Sequence, residues 1–111
     1  MRRLQHDDCG WAAALGAIGG KWKTHILWEV NERPRRFGEL RRLLPGISEK
    51  VLTQHLREME RDELLRRQSF PGSVLKVEYS VTQFGRSLNS AVAALSRWGK
   101  QLEARKNASA D

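Results

Sequence analysis

Cysteine occurs once in the 111 residues, at Cys9, so the sequence can form no internal disulfide and no cysteine-rich zinc site. The three histidines, His6, His25 and His55, are scattered without metal-ligand spacing. No apolar run approaches the ~20 residues of a membrane span. The stretch from Met1 to Asp8 turns acidic and polar where a secretion signal needs an apolar core, so a cytoplasmic location is expected. Catalytic signatures are missing too. There is no Gly-x-Ser-x-Gly elbow. Gly20-Lys21 falls short of a phosphate loop, because Leu15 stands where the first glycine belongs and Trp22 where the Ser/Thr belongs. These absences point away from an enzyme and imply no cofactor and no metal.

What remains is a basic chain of one domain's length. Twenty Lys and Arg face 13 Asp and Glu, a formal charge of +7, which makes nucleic acid or another polyanion the first partner to consider. The surplus is enriched but not confined: residues 33–67 carry ten basic and six acidic side chains.

Punctuation and periodicity divide the chain. Small apolar residues over 9–19 read as a short helix closed by Gly19-Gly20. Trp22, Ile26, Leu27 and Val30 recur at helical spacing over 21–33, with Lys21, Lys23, Glu29 and Glu32 marking the wetter side, and Pro34 stops that helix. Phe37, Leu40, Leu43 and Leu44 form the inner face of a third helix, whose outer face is Arg36, Glu39, Arg41 and Arg42; Pro45-Gly46 ends it. Ser48 is a good N-cap for a fourth helix reaching about Asp62. Its inner face is Leu52, Leu56 and Met59, with Val51 and His55 at the margin.

Residues 64–69 and 75–81 then suit two strands joined through Phe70-Pro71-Gly72-Ser73, with Val77, Tyr79 and Val81 sharing one side. Thr82 caps a long final helix to about Arg105, striped by Phe84, Leu88, Val92, Leu95, Trp98 and Leu102. The sequence therefore divides into a loose N-terminus (1–8), one folded unit (9–105) and a loose tail (106–111). Four helices, a hairpin and a long helix give an α+β, mainly α fold. Two short helices across a tight turn followed by a two-stranded hairpin is the order of a winged helix-turn-helix, whose second helix enters the DNA major groove.

Within that order the sequence resembles the HxlR-type transcription regulators, winged-helix relatives of the MarR group. The resemblance rests on Ile18-Gly19-Gly20-Lys21-Trp22, Arg36-Phe37-Gly38-Glu39-Leu40 and Pro45-Gly46-Ile47-Ser48. It continues through Leu52-Thr53-Gln54-His55-Leu56-Arg57-Glu58, Val77-Glu78-Tyr79-Ser80-Val81-Thr82, Phe84-Gly85-Arg86-Ser87-Leu88 and Leu95-Ser96-Arg97-Trp98-Gly99. No single block is diagnostic; their ordered combination is. Two departures stand out. Glu63 occupies the place where the family usually has a glycine that can take a left-handed backbone, and Ser73-Val74-Leu75-Lys76 replaces a proline-containing wing segment.

The resemblance implies a sequence-specific, DNA-binding homodimer acting on a palindromic operator, with N- and C-terminal dimerisation helices and a small-molecule or electrophile effector. Lys50, Thr53, Gln54 and Arg57, on the outer side of the helix that Ser48 opens, carry chemistry suited to base edges. Lys and Arg donate to guanine, Gln pairs with adenine, and Thr meets a thymine methyl or a phosphate. Arg36, with Arg35, Arg41 and Arg42, and Arg66, Arg67 and Lys76 on the hairpin, suit phosphates. The plain alternative for both sets is a solvated surface, with Arg41 or Arg42 paired to Glu39 or Glu58.

Leu15, Leu88, Val92, Leu95, Trp98 and Leu102 are the expected dimer interface. Cys9 lies nine residues before Ile18, as in redox-sensing members of the family, which makes it the candidate redox sensor; a small buried structural residue is the alternative. A protein-interaction adaptor without sequence-specific DNA binding is the competing function.

Overall fold

A computed structural model describes residues 10–72 and 74–109. Cys9, the segment 1–8 and the wing residue Ser73 lie outside them. The elements in chain order are α1 (Trp11–Ile18), α2 (Lys23–Glu32), α3 (Phe37–Leu43), α4 (Glu49–Arg61), β1 (Leu65–Phe70), β2 (Lys76–Val81), α5 (Gln83–Ser87) and α6 (Asn89–Ser109). The two strands pair antiparallel from Leu65 opposite Val81 to Phe70 opposite Lys76, forming the wing. A backbone bridge between Arg35 and Tyr79 lays the segment before α3 along the free edge of β2.

One core holds these elements. Ile26, Leu27 and Val30 of α2 meet Leu40 and Leu44 around α3, Ile47, and Leu52, Leu56 and Met59 of α4. Leu64, Leu65 and Val81 close it from the wing side. The inner faces expected for α2 and α4 are therefore observed. Each fully buried Leu or Ile contributes roughly 1.5–3 kcal/mol relative to exposure. In α3 the face is narrower than expected. Leu43 is exposed because one short helix packed along Leu40 and Leu44 has room for only part of a four-residue stripe, with Phe37 half-buried.

Local chemistry sets the element ends. Gly46, at φ 96°, makes the left-handed turn between α3 and α4 that a side chain would resist. Ser48 accepts the Val51 N–H at 3.1 Å and so caps α4. The far end of α4 closes on Glu63, at φ 61°. Leu64 N–H returns to Met59 O and Glu63 N–H to Glu60 O, both at 2.9 Å, the paired bonds of a Schellman motif with Leu64 and Met59 as its apolar contact. The left-handed position, where the resemblance leads one to expect glycine, is thus occupied here by glutamate. Thr82 caps α5 by accepting the Gly85 N–H at 2.9 Å and ties it to the turn that closes α4 by donating to Glu63 O at 2.6 Å.

The final helix differs from the sequence expectation in two ways. It breaks at Leu88, where the Leu88 N–H bonds Gly85 O in a tighter turn, so α5 and α6 are separate elements. It also runs to Ser109, past the boundary at Arg105: nothing in Lys106-Asn107-Ala108 breaks a helix, and Ala is its best former. No residue of α6 is fully buried. Its first turn is held to α2 through paired Asn31–Asn89 amide bonds of 2.7 and 3.2 Å. Val92 and Leu102 are half-buried, Leu95 is exposed, and Trp98 is 60% exposed. Trp11 and Leu15 of α1 are likewise exposed. The radius of gyration, 16.9 Å, exceeds the ~13 Å of a compact chain this long, as projecting terminal helices require.

Candidate nucleic-acid interface

The side of α4 opposite its core stripe carries Lys50, Gln54, Arg57 and Arg61, all exposed, with Thr53 half-buried beside them. Together with Glu49 and Glu58 they line an open depression of about 690 Å³. Leu52, Leu56 and Met59 lock the helix from behind, so these side chains stand on a rigid support. Among the described residues Lys50, Arg57 and Arg61 form no ion pair. An exposed cation with no internal partner is available to an external anion. Arg61 extends the 50, 54, 57 spacing by one further turn; that continuation was readable in the sequence but was not singled out there.

Beside α4, Arg36 and Arg42 border a second recess of about 350 Å³ with Phe37, Gly38, Glu39 and the wing residues Leu75 and Val77. This recess brings the start of α3 against the wing. Glu39 is already engaged. Its carboxylate accepts Arg36 N–H at 3.0 Å and Arg33 Nη2 at 2.8 Å, and these bonds, the backbone one first, hold its pKa below the usual glutamate value. Glu58 is engaged by Lys23 at 2.6 Å. The suggested pairing of Arg41 or Arg42 with Glu39 or Glu58 therefore does not occur, and both arginines remain exposed. On the wing Arg66 and Arg67 are exposed and outside any ion pair among the described residues, whereas Lys76 bonds Glu78 at 3.4 Å and sits 5.6 Å from the Phe70 ring centre.

Two cations depart from the sequence reading. Arg35, grouped above with the phosphate arginines, is 5% exposed. Its Nε donates to Glu29 O at 2.9 Å and its Nη2 to Glu29 and Glu32 carboxylates at 3.1 and 3.0 Å, because its backbone sits against β2 and its side chain turns under the end of α2. Lys23, placed on the wetter side of α2, is 6% exposed. It lies three, four and seven residues before Ile26, Leu27 and Val30, so it shares their inward face. Its Nζ donates to Gly16 O at 3.0 Å and to Glu58 Oε2, satisfying the buried charge. The same 3.6-residue period that identified the core of α2 could have placed Lys23 there and asked for a carboxylate partner.

His25 is exposed and His55 half-buried. His55 Nδ1 is enclosed, with no hydrogen-bond partner and Glu58 Oε2 3.9 Å away. The described residues contain no cluster of three His, Cys, Asp or Glu able to hold a metal, and no helix long and apolar enough to cross a membrane.

The geometry has close parallels. The family model described as HxlR-like helix-turn-helix matches residues 17–107. The HTH-type transcriptional regulator YdeP of Bacillus subtilis (strain 168) is 38% identical over 99 residues, 89% of this chain and 77% of that protein. A crystal structure described as a MarR-family transcriptional regulator from Enterococcus faecalis V583 superposes with a TM-score of 0.80 at 39% identity, covering 96% of this chain and 94% of the other. The reduced form of the redox regulator HypR gives 0.75 at 38% identity, covering 82% and 90%.

Proposed function

The chain belongs to the HxlR-like helix-turn-helix family, and from that premise we propose that this DNA-binding transcription regulator works as a homodimer on a palindromic operator. Each protomer presents α4 to a major groove, with Lys50, Thr53, Gln54 and Arg57 meeting base edges or flanking phosphates and Ser48 at the phosphate-facing helix start. Arg36, Arg67 and Lys76 contact phosphates on either side. The observation that carries this reading is the outer face of α4: exposed, rigidly backed and lined by cations without internal partners.

The dimer is argued from uncovered apolar surface. Leu15 of α1 and Leu95 and Trp98 of α6 are exposed, continuous in spacing with half-buried Val92 and Leu102. Exposed stripes of this kind mark association sites. Leu88 differs, since it packs at the margin of the protomer's own core. A two-fold pair of α4 helices would place half-sites about 34 Å apart or a multiple of it.

The test is a binding titration. Wild-type protein and Arg57→Ala are titrated against a duplex selected by the wild type from a randomised library, and against a scrambled duplex, at several salt concentrations. The reading requires selective binding by the wild type and loss of affinity in the variant. Equal wild-type affinity for both duplexes at every salt concentration sinks it. Sedimentation of wild type and Trp98→Glu checks the assembly: the wild type should run as a dimer and the variant as a monomer. Redox control through Cys9 has the example of HypR, a redox regulator of the same fold. Loss of operator affinity after diamide treatment in wild type but not in Cys9→Ser supports it; equal behaviour assigns Cys9 a structural role.

A further inference from the structure

We propose that Glu58 is a positioning residue for DNA reading: pinned by Lys23, it fixes which end of the Gln54 amide faces the groove and so sets base preference at one operator position. The inference rests on the reading of α4 as the groove-facing helix.

Three bonds make the chain. Lys23 Nζ donates to Gly16 O at the end of α1 and to Glu58 Oε2 on α4, at 3.0 and 2.6 Å. The other Glu58 oxygen, Oε1, accepts from Gln54 Nε2 at 3.2 Å, one helical turn earlier. A glutamine amide is ambivalent, with a donor end and an acceptor end of nearly equal size, and adenine recognition needs both ends in a defined order. An ionised carboxylate only accepts, so it tolerates only the NH2 end beside it. Glu58 is kept in that ionised state. Its pKa is held below the ordinary glutamate value first by the Lys23 hydrogen bond, against desolvation, and then by Gln54.

The stoichiometry of donors fits as well. Gln54 Nε2 carries two hydrogens. One goes to Glu58, which leaves the second for adenine N7 and the amide oxygen for the adenine amino group. The carboxylate thus occupies the one amide hydrogen that the base does not use. An exposed glutamine–glutamate pair four residues apart would ordinarily be loose and worth a few tenths of a kcal/mol. Here the carboxylate cannot follow solvent, because Lys23 is buried and holds it from the core side.

The full chain is assayed on the duplex selected by the wild type, with a single-base-pair substitution series across it. Gln54→Ala should relax discrimination at one position by roughly tenfold. Glu58→Ala should relax the same position by at least about threefold, while changing it little in a Gln54→Ala background. Glu58→Gln, which offers Gln54 a carbonyl but no longer an obligate acceptor, should fall between. Lys23→Met frees Glu58 from the opposite side and should repeat the pattern, which keeps the test intact where a Glu58 variant folds poorly. Thermal melting of every variant separates loss of fold from loss of reading. Equal losses in both backgrounds, or a loss spread evenly over all positions, would falsify the assignment. A wild type that selects no duplex at all overturns the functional reading beneath it, whereas selection with an additive cycle overturns the Glu58 role alone.

Discussion

Glu63 offers a measurement in which backbone geometry alone sets the outcome. Its φ of 61° lies in the left-handed region, at the Schellman turn that closes α4. A residue with a Cβ is penalised there by roughly 1–2 kcal/mol, a cost glycine does not carry. Glycine brings its own cost of roughly 0.5–1 kcal/mol, because its unfolded chain is freer. The difference predicts that Glu63→Gly is more stable than Glu63→Ala by roughly 0.75 kcal/mol, the centre of a span of about 0–1.5 kcal/mol. Alanine is the proper reference. It removes the same charge, in a chain of net +7, and keeps the Cβ. At about 4–8 °C per kcal/mol, a difference of about 0.75 kcal/mol separates the melting temperatures by about 3–6 °C. Calorimetry at one fixed protein concentration is needed, since association shifts apparent stability. Glu63→Val should fall below both, because a β-branched side chain resists this conformation most. Alanine more stable than glycine would refute the reasoning and mean that the left-handed backbone costs a Cβ less than glycine loses in the unfolded chain.

Two further outcomes follow from the same region and from the buried lysine. A methyl group added at Gly85 would overlap the Leu64 carbonyl oxygen and come within 2.9 Å of Val81 Cγ2, so Gly85→Ala should destabilise by about 1–3 kcal/mol or more in denaturant unfolding, whereas Gly99→Ala, inside α6 with a Cβ that meets nothing, is the opposite control and should stabilise by about 0.5–1 kcal/mol. The Glu58 carboxyl has a lowered folded pKa, so its contribution is present above the unfolded value near 4.5 and is lost as pH falls through the folded value; Glu58→Gln should therefore lose less stability than wild type on acidification below about pH 4.5, and identical acid limbs would remove Lys23–Glu58 as a stabilising pair.

The core of this fold was legible because the period of its apolar residues is unambiguous. Ile26, Leu27 and Val30, and Leu52, Leu56 and Met59, each recur at three- and four-residue steps and each face inward. Caps were legible for the same local reason: Ser48 and Thr82 act within three residues of themselves. What escaped was non-local. Lys23 lies on an inward face by period, yet its hydrophilicity suggested solvent; the deciding fact is Glu58, 35 positions on and visible only in the folded chain. Arg35 was grouped with its neighbour Arg36 by composition, but the strand-like bridge to Tyr79 turns adjacent residues to opposite sides, one into the core and one outward. The break at Leu88 and the exposure of Leu43 have the same origin, since each depends on how much neighbouring surface is available and not on the residue itself.

The buried cations also change how the net charge should be understood. A count over residues 33–67 treats all basic groups alike, but Arg35 is enclosed by Glu29 and Glu32, and Arg33 is matched by Glu39. Lys23, outside that window, neutralises Glu58 within it. Two acidic side chains at the proposed groove face, Glu39 and Glu58, are thus already satisfied from within the protomer. Within residues 33–67, the cations without an ion-pair partner among the described residues are Arg36, Arg41, Arg42, Lys50, Arg57, Arg61, Arg66 and Arg67, and they fall on α4, on α3 with its N-cap, and on the wing. DNA affinity depends on salt through the phosphates actually neutralised and not through net charge, with each such contact adding about 0.9 to the slope. Internal pairing therefore removes two carboxylates from competition with phosphate on the proposed groove face, and for Glu58 it does so through a buried lysine that itself touches no phosphate. Removing Lys23 would alter the reading face from behind, by releasing an acidic group onto it, which is why its effect on binding should exceed what the loss of one cation among twenty would suggest.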